Sequence, residues 1–366
     1  MKKPDTCQGC ILYHKSIGFE PPQGTGKNGV MIIGENPGSL EFQVQVEKSI
    51  SRQNYRIKDF AFYNLIQCQP PHEKLENTDY RRSAIDHCKV YLYQAIQKFK
   101  PKVLSLQGSL AMQEILRLKN LLPSPKSNAP KRGYVYDVEV GNHKCYAIPT
   151  IDPHYIVKGN QHMAGVHMWD LARAVKIAES GEPEDKYNYV LYPTPDDIRE
   201  FINEASRYAE KKDSLMVADI ETLDNTKKLD DHSYADVIQS NISCISFSFK
   251  EGHAITIKYN ETNHEFIQQL FNLNFTYIGW WNLSFDVPRL MSKSFTFGTS
   301  THIDGMLAFK WLSSDVPKGL GFVSTFFTPF REWKSLSDSK PEFYSCRDSD
   351  ATFRNISAIK KLIEDI

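Results

Sequence analysis

Three short stretches carry side chains at spacings that can do chemistry together. In LMVADIETL, Asp219 and Glu221 stand two apart, so on a strand both project from one face. In WWNLSFDVPRL, Asn282 and Asp286 are four apart at a helix start; in FYSCRDSDATFRNI, Tyr344 and Asp348 are four apart within a helix. Each pair then shares a helix face. Asp304, in HIDGMLAFKWL, opens another helix. Four carboxylates from three elements can hold two divalent ions about 3.5–4 Å apart, which stabilises both the attacking and the leaving oxygen of phosphodiester hydrolysis. Hard ions such as Mg²⁺ or Mn²⁺ prefer such oxygens.

A second set is sulfur. Cys7 and Cys10 form a CxxC, Cys68 lies in FYNLIQCQPP and Cys88 in IDHCKVYLYQ, while Cys145, Cys244 and Cys346 are scattered. Seven cysteines is an odd number without a secretory context, which argues against a disulfide framework. Four thiolates suit in number either zinc or a 4Fe–4S cluster. Between the CxxC and Cys68 lies VMIIGENPGSLE, an apolar strand that stops at Gly34-Glu35-Asn36-Pro37-Gly38. Such a turn lets backbone approach a partner closely.

The elements that must hold these groups fall into two series. Strands near 30–33, 61–67, 102–106 and 144–149 alternate with helices near 83–99, 108–119 and 164–178, as in an α/β domain with a largely parallel sheet. AESGEPEDKYN is polar and marks a linker over 179–187. Beyond it a strand leads to a helix begun by Thr194 or Pro195, with Asp196 and Asp197 in its first turn. Strands at 214–220, 242–249 and 253–258 and helices near 262–273, 284–292, 303–312 and 345–364 make a second α/β domain. A chain of 366 residues is long for one core, so two domains, 1–178 and 188–366, are expected.

ADIET, NLSFD and YSCRDSDAT, in that order over about residues 188–364, resemble the three motifs of the DEDD-type 3′–5′ exonucleases. The match is to the Tyr-containing form that proofreads for family A DNA polymerases, and DGMLAFKWL resembles its helix between the second and third motifs. The resemblance implies a ribonuclease H-like fold. It implies Asp219, Glu221, Asp286 and Asp348 as ligands of two Mg²⁺ or Mn²⁺ ions, Tyr344 orienting the attacking water, and Asn282 at the DNA. Phe285 and Leu223 would pack near the terminal nucleotide. Trp280-Trp281 replaces the usual His or small residue before Asn and reads as core.

The series CxxC, GENPG, N-x3-C-x-P-P, Cys88, PKVLSLQG and PTIDPHYIVKG, over about residues 4–176, resembles the family 4 uracil-DNA glycosylases. That resemblance implies a three-layer α/β/α domain, with Cys7, Cys10, Cys68 and Cys88 holding a 4Fe–4S cluster. It implies Asn64 on the uracil edge, in a pocket shared with Glu35, Asn36, Asp152 and His154. Two departures matter. Asn36 stands where this family has Ala, a position from which other glycosylases orient water. Asp152 stands where the family has His, and His154 where it has Ser; a carboxylate facing a departing uracil anion repels it. The domain is expected either to excise uracil or to recognise uracil or a modified base without catalysis. Glycosylase-like then exonuclease-like is also the order in the N-terminal part of some phage family A polymerases. No room remains here for palm or fingers, so a DNA polymerase partner is expected in the same longer chain or another.

Composition is compatible with both. The net charge is zero, yet residues 1–178 carry 24 Lys and Arg against 15 Asp and Glu, and the remainder 20 against 29. A basic part suits a DNA backbone, single-stranded or at a primer 3′ end. Lys98, Lys100 and Lys102 around a strand start, and SPKSNAPKRGY (124–134) with Lys131 and Arg132, are candidate phosphate contacts. Hydrophobic content of 41% and aromatic content of 12% argue against disorder. No run of 18 apolar residues is present, so no membrane partner is expected, and the N-terminus lacks the apolar core of a signal peptide. A cytoplasmic protein is expected, in a bacterial host if phage-encoded.

Overall fold

The computed structural model describes residues 3–37, 40–71, 79–116, 131–223 and 241–364. The chain divides into two compact units, Met1–Pro183 and Glu184–Ile366.

The first unit contains α1 (Leu12–Lys15), β1 (Gly18–Phe19), β2 (Gln23–Gly24), β3 (Val30–Gly34), α2 (Leu40–Ser51), β4 (Ala61–Asn64), β5 (Cys68–Gln69) and α3 (Arg81–Phe99). It continues with β6 (Val103–Gln107), α4 (Gly108–Leu116), β7 (Tyr136–Val140), β8 (His143–Thr150), α5 (Pro153–Val157) and α6 (Ala164–Ser180). Its sheet runs β2-β4-β3-β6-β8-β7. The four inner strands are parallel and the two edges antiparallel. VMIIG and VLSLQ are buried at every position, as strands covered on both faces must be. On one face Val30, Ile32, Val103 and Ile148 meet Val46 and Ile50 of α2 and Leu171, Ala174 and Val175 of α6. Met31, Ile33, Leu104 and Leu106 are equally buried on the alternate pleat, and α3 and α4 pack on β4, β6 and β8. The expected three-layer α/β/α arrangement results.

Strand β3, first of the parallel set, lies between β4 and β6, so the direction of winding reverses there. Ligands in such sheets sit outside the carboxyl ends at this point. The pairings Gly34↔Asn64 and Gln107↔Thr150 bring the ends of β3, β4, β6 and β8 to one edge. GENPG, Asn64 and Asp152 all follow from it.

The second unit contains β9 (Asn188–Val190), α7 (Pro195–Ala209), β10 (Leu215–Thr222), β11 (Ile242–Lys250), β12 (His253–Lys258) and α8 (Glu261–Phe271). After these come β13 (Tyr277–Trp280), α9 (Leu283–Ser292), β14 (Thr301–Asp304), α10 (Gly305–Leu312), α11 (Leu320–Phe327) and α12 (Pro341–Glu364). Its sheet order is β14-β13-β10-β11-β12-β9, antiparallel from β10 to β12 and parallel from β10 through β13 to β14, the ribonuclease H-like arrangement expected. Thr194 caps α7 in a reciprocal box with Asp197. Trp280 and Trp281 are core, at 0% and 8% exposure. Helix α12 lies on β10, β11 and β12, tied by Ser246 Oγ donating to the Ser345 carbonyl at 2.8 Å.

The segment expected as linker is split between the units. Helix α6 runs to Ser180, whereas Asp185 and Tyr187 belong with the second unit. Arg347 of α12, buried, pairs with both Asp185 oxygens at 3.0 and 2.9 Å. Its guanidinium lies 4.8 Å from the Tyr187 ring and 4.0 Å from that of Phe330.

Candidate functional sites

Strand β10 presents Asp219 and Glu221 toward α12, which supplies Tyr344 and Asp348 one turn apart. Carboxylate oxygens of Asp219, Glu221 and Asp348 lie within 4.8 Å of one another. Among the described residues this is the one set of three or more His, Cys, Asp or Glu so gathered. Asp286, buried on α9, stands just outside the set and accepts a hydrogen bond from the Ile220 N–H beside it.

The electrostatics follow from crowding charge in a dry place. Burial, then Glu221, Asp348 and Asp286, push Asp219 well above the carboxylate range. Burial and then Asp348 push Glu221 up to about 8, and burial raises Asp286 to about 7. Asp219 Oδ2 is buried with no hydrogen-bond partner. A buried acceptor left unmatched is costly.

Two neighbours escape a sequence reading. Trp333 donates its indole N–H to Asp348 Oδ1, and Lys334 Nζ pairs with Asp348 Oδ2 while donating to the Tyr344 hydroxyl at 3.0 Å. Burial opposes the Lys334 charge, but Asp348 and Tyr344 outweigh it and hold the ammonium above its ordinary value. Burial, then Asp348, raises Tyr344. Only the dipeptide WK before the third motif hints at this. Asp304 is the cap of α10: Oδ1 accepts from Leu307 N at 2.9 Å and Oδ2 from Leu283 N at 3.0 Å. Asn282 caps α9, half-buried, accepting from Ser284 Oγ at 2.8 Å. Phe285, next to Asp286 in sequence, and Leu223, two residues after Glu221, are 37% and 68% exposed.

In the first unit a recess of about 100 Å³ opens at the ends of β3 and β4. Gly34, Asn64, Phe62, Gln67, Gln23 and Glu20 are among its lining residues. Leu65 N donates to the Gly34 carbonyl at 2.9 Å and Ile66 N to that of Glu35 at 3.1 Å, which fixes the two turns side by side. The other expected pocket residues are not on its wall. Asn36 is buried, its amide folded back onto the Pro37 carbonyl at 2.9 Å. Asp152 caps α5, accepting from His154 N at 2.9 Å, with His154 Nδ1 3.5 Å from the same oxygen. Asp152 packs instead against Gly108, where an added Cβ would sit 3.1 Å from its own.

Arg132 corrects an expectation: it is no phosphate contact. It is fully buried, its guanidinium forked onto Asp170, which also accepts from Thr150 Oγ1 at 2.9 Å. Lys131 beside it is half-buried. Lys102 donates to the Ala178 carbonyl at 2.8 Å, and Lys100 is the left-handed cap of α3. The rest of the basic loop, 124–130, lies outside the described residues.

Cys7, Cys68 and Cys88 are buried and Cys10 half-buried, all as free thiols. They converge where the N-terminal turn, β5 and α3 meet. Burial and then Cys68 raise Cys7; burial, then Cys10, Cys68 and Cys7, raise Cys88 to about 12. No three of the four sulfurs lie within 4.8 Å of one another.

No protein-family model matches the chain. A type-4 uracil-DNA glycosylase of Pyrobaculum aerophilum is 28% identical over 122 residues, 31% of this chain and 60% of that protein. The type-4 uracil-DNA glycosylase of Saccharolobus solfataricus is 27% identical over 158 residues, 40% of this chain and 70% of the relative. The chain thus spans about three-fifths of the first relative's length. Escherichia coli RNase D, an exoribonuclease involved in structured RNA processing, aligns at a TM-score of 0.30 and 10% identity, over 49% of this chain and 46% of that one.

Proposed function

We propose that the second unit is a divalent-metal-dependent 3′–5′ DNA exonuclease acting on a single strand or primer 3′ end. The observation that carries this is the unpartnered, buried Asp219 Oδ2 inside a set of three converging carboxylates. Hard oxygen donors with an unmatched lone pair fit Mg²⁺ or Mn²⁺. Bound there, two such ions would activate the attacking water and offset charge on the leaving oxygen. The chain's own part is positional. Asp219, Glu221 and Asp348 hold the ions, Asp286 is the fourth ligand, and the Tyr344 hydroxyl aims the water. Phe285 and Leu223 offer apolar surface to the terminal nucleotide, and Asn282 a polar contact. The test is digestion of a 3′-labelled single strand with Mn²⁺. A ladder lost on Asp219→Ala supports the assignment; no ladder, or one untouched by that change, removes it.

For the first unit we propose a glycosylase-like, DNA-binding module that reads uracil or a modified base through Asn64. The resemblance to type-4 enzymes supports it, as does Asn64 lining the recess at the winding reversal. Recognition is favoured over excision because Asp152 and His154 are engaged with each other, off the recess wall. Cys7, Cys10, Cys68 and Cys88 would hold a 4Fe–4S cluster. Zinc, bound at 2.3 Å, would set its sulfurs about 3.8 Å apart, closer than three of these thiols lie. Both activities suit work beside a DNA polymerase in the same or another chain. A uracil oligonucleotide separates the readings: excision leaves an alkali-labile site, recognition only a mobility shift.

A further inference from the structure

We infer that Lys334 is a built-in counter-ion of the carboxylate site, which a divalent cation must displace from Asp348 and which then holds Tyr344 in place. The inference rests on the exonuclease reading above. Asp348 Oδ1 accepts from the Trp333 indole, and Oδ2 pairs with the Lys334 ammonium. A dication on the second oxygen would lie against that ammonium, and the repulsion between the two cations drives the ammonium off it. The geometry provides a place to go. Lys334 already donates to the Tyr344 hydroxyl at 3.0 Å, with its ammonium 4.6 Å from the ring centre. Its side chain is one-third exposed on the short turn Lys334–Leu336, which leaves it room to shift from Asp348 toward Tyr344 while buried Trp333 anchors the turn. Asp219 and Glu221 crowd Asp348, and the Lys334 ammonium sits on that same carboxylate.

As a positioning residue Lys334 then has two effects of opposite sign. It weakens metal binding by competing for Asp348, and it supports turnover by orienting Tyr344. A site that is free one-tenth of the time binds about tenfold more weakly than one always free. Lys334→Met is expected to bind Mn²⁺ about tenfold more tightly by direct titration, and to turn over more slowly at saturating Mn²⁺. Lys334→Gln removes the charge but keeps an N–H donor for Tyr344. It is expected to share the tighter binding and to retain more of the turnover; it also serves if Lys334→Met does not fold, which melting in EDTA reports. Mn²⁺ affinity unchanged or weakened in both variants overturns the inference, as does turnover equal to wild type in Lys334→Met. Wild-type protein that neither binds Mn²⁺ nor degrades the labelled strand overturns the exonuclease reading instead.

Discussion

Trp333 donates its indole N–H to Asp348, fifteen residues later in the chain, from a ring that is itself fully packed. A group that pins a metal-binding carboxylate sets its direction as much as the backbone does. Trp333→Phe keeps the ring and removes the donor. Exonuclease rate is expected to fall by about 10–100-fold with a small change in melting temperature. Equal rates in the two proteins would reduce the contact to packing.

Raised carboxylates make the metal-free protein sensitive to base. Glu221 near 8 and Asp286 near 7 hold protons that the unfolded chain has released. Their contribution to stability is full below the unfolded values near 4 and is lost as pH rises through 7 to 8. Melting in EDTA should therefore decline between pH 5 and pH 8, and Mn²⁺ should restore it most at the upper end. A melting temperature that climbs with pH in EDTA would refute the assignment.

The cysteines separate by position. Cys88→Ser is expected to abolish visible absorbance and iron content, while Cys145→Ser, whose thiol is on β8 away from the other four, leaves both unchanged. Zinc in place of iron in anaerobically purified protein would overturn the cluster.

Asn64→Ala should weaken binding to a uracil oligonucleotide by about 1–3 kcal/mol, the cost of leaving base-edge groups unpaired. His154→Ala should not, since that ring is off the recess wall. Reversal of the two effects would move the base site to α5.

Arg132 and Asp170 form a buried pair, and breaking one side leaves a buried charge without its forked partner. Arg132→Met is expected to destabilise the first unit by about 3–5 kcal/mol, and Arg132→Met with Asp170→Leu to recover most of it. A single variant that melts normally but shows a shallower salt dependence of DNA binding would restore Arg132 as a phosphate contact.

These sites differ in how far they could be read in advance. Asp219 and Glu221 announce themselves because strand alternation is local, and Tyr344 with Asp348 because a helical turn is. Thr194 and Asp197 declare their cap for the same reason. Arg132 does not: its loop reads as basic, and nothing nearby signals Asp170, thirty-eight residues on. Trp333 and Lys334 likewise act across a chain reversal without periodicity. Helix α2 was hidden by FQVQVEK, whose every-other-residue apolar pattern is that of a strand; Val46 and Ile50, one turn apart, are its contribution to the core among the described side chains. The Asn36 amide points back into its own loop, a choice of rotamer that composition does not encode.

The pairing of Asp185 with Arg347 has a practical corollary for anyone separating the two units. Arg347 immediately precedes Asp348, so a fragment begun at the first sheet strand, Asn188, would strip the carboxylate from a buried guanidinium next to the metal site. Such a fragment would read as a poor nuclease for reasons unrelated to the missing neighbour domain. The compact second unit starts four residues earlier, at Glu184.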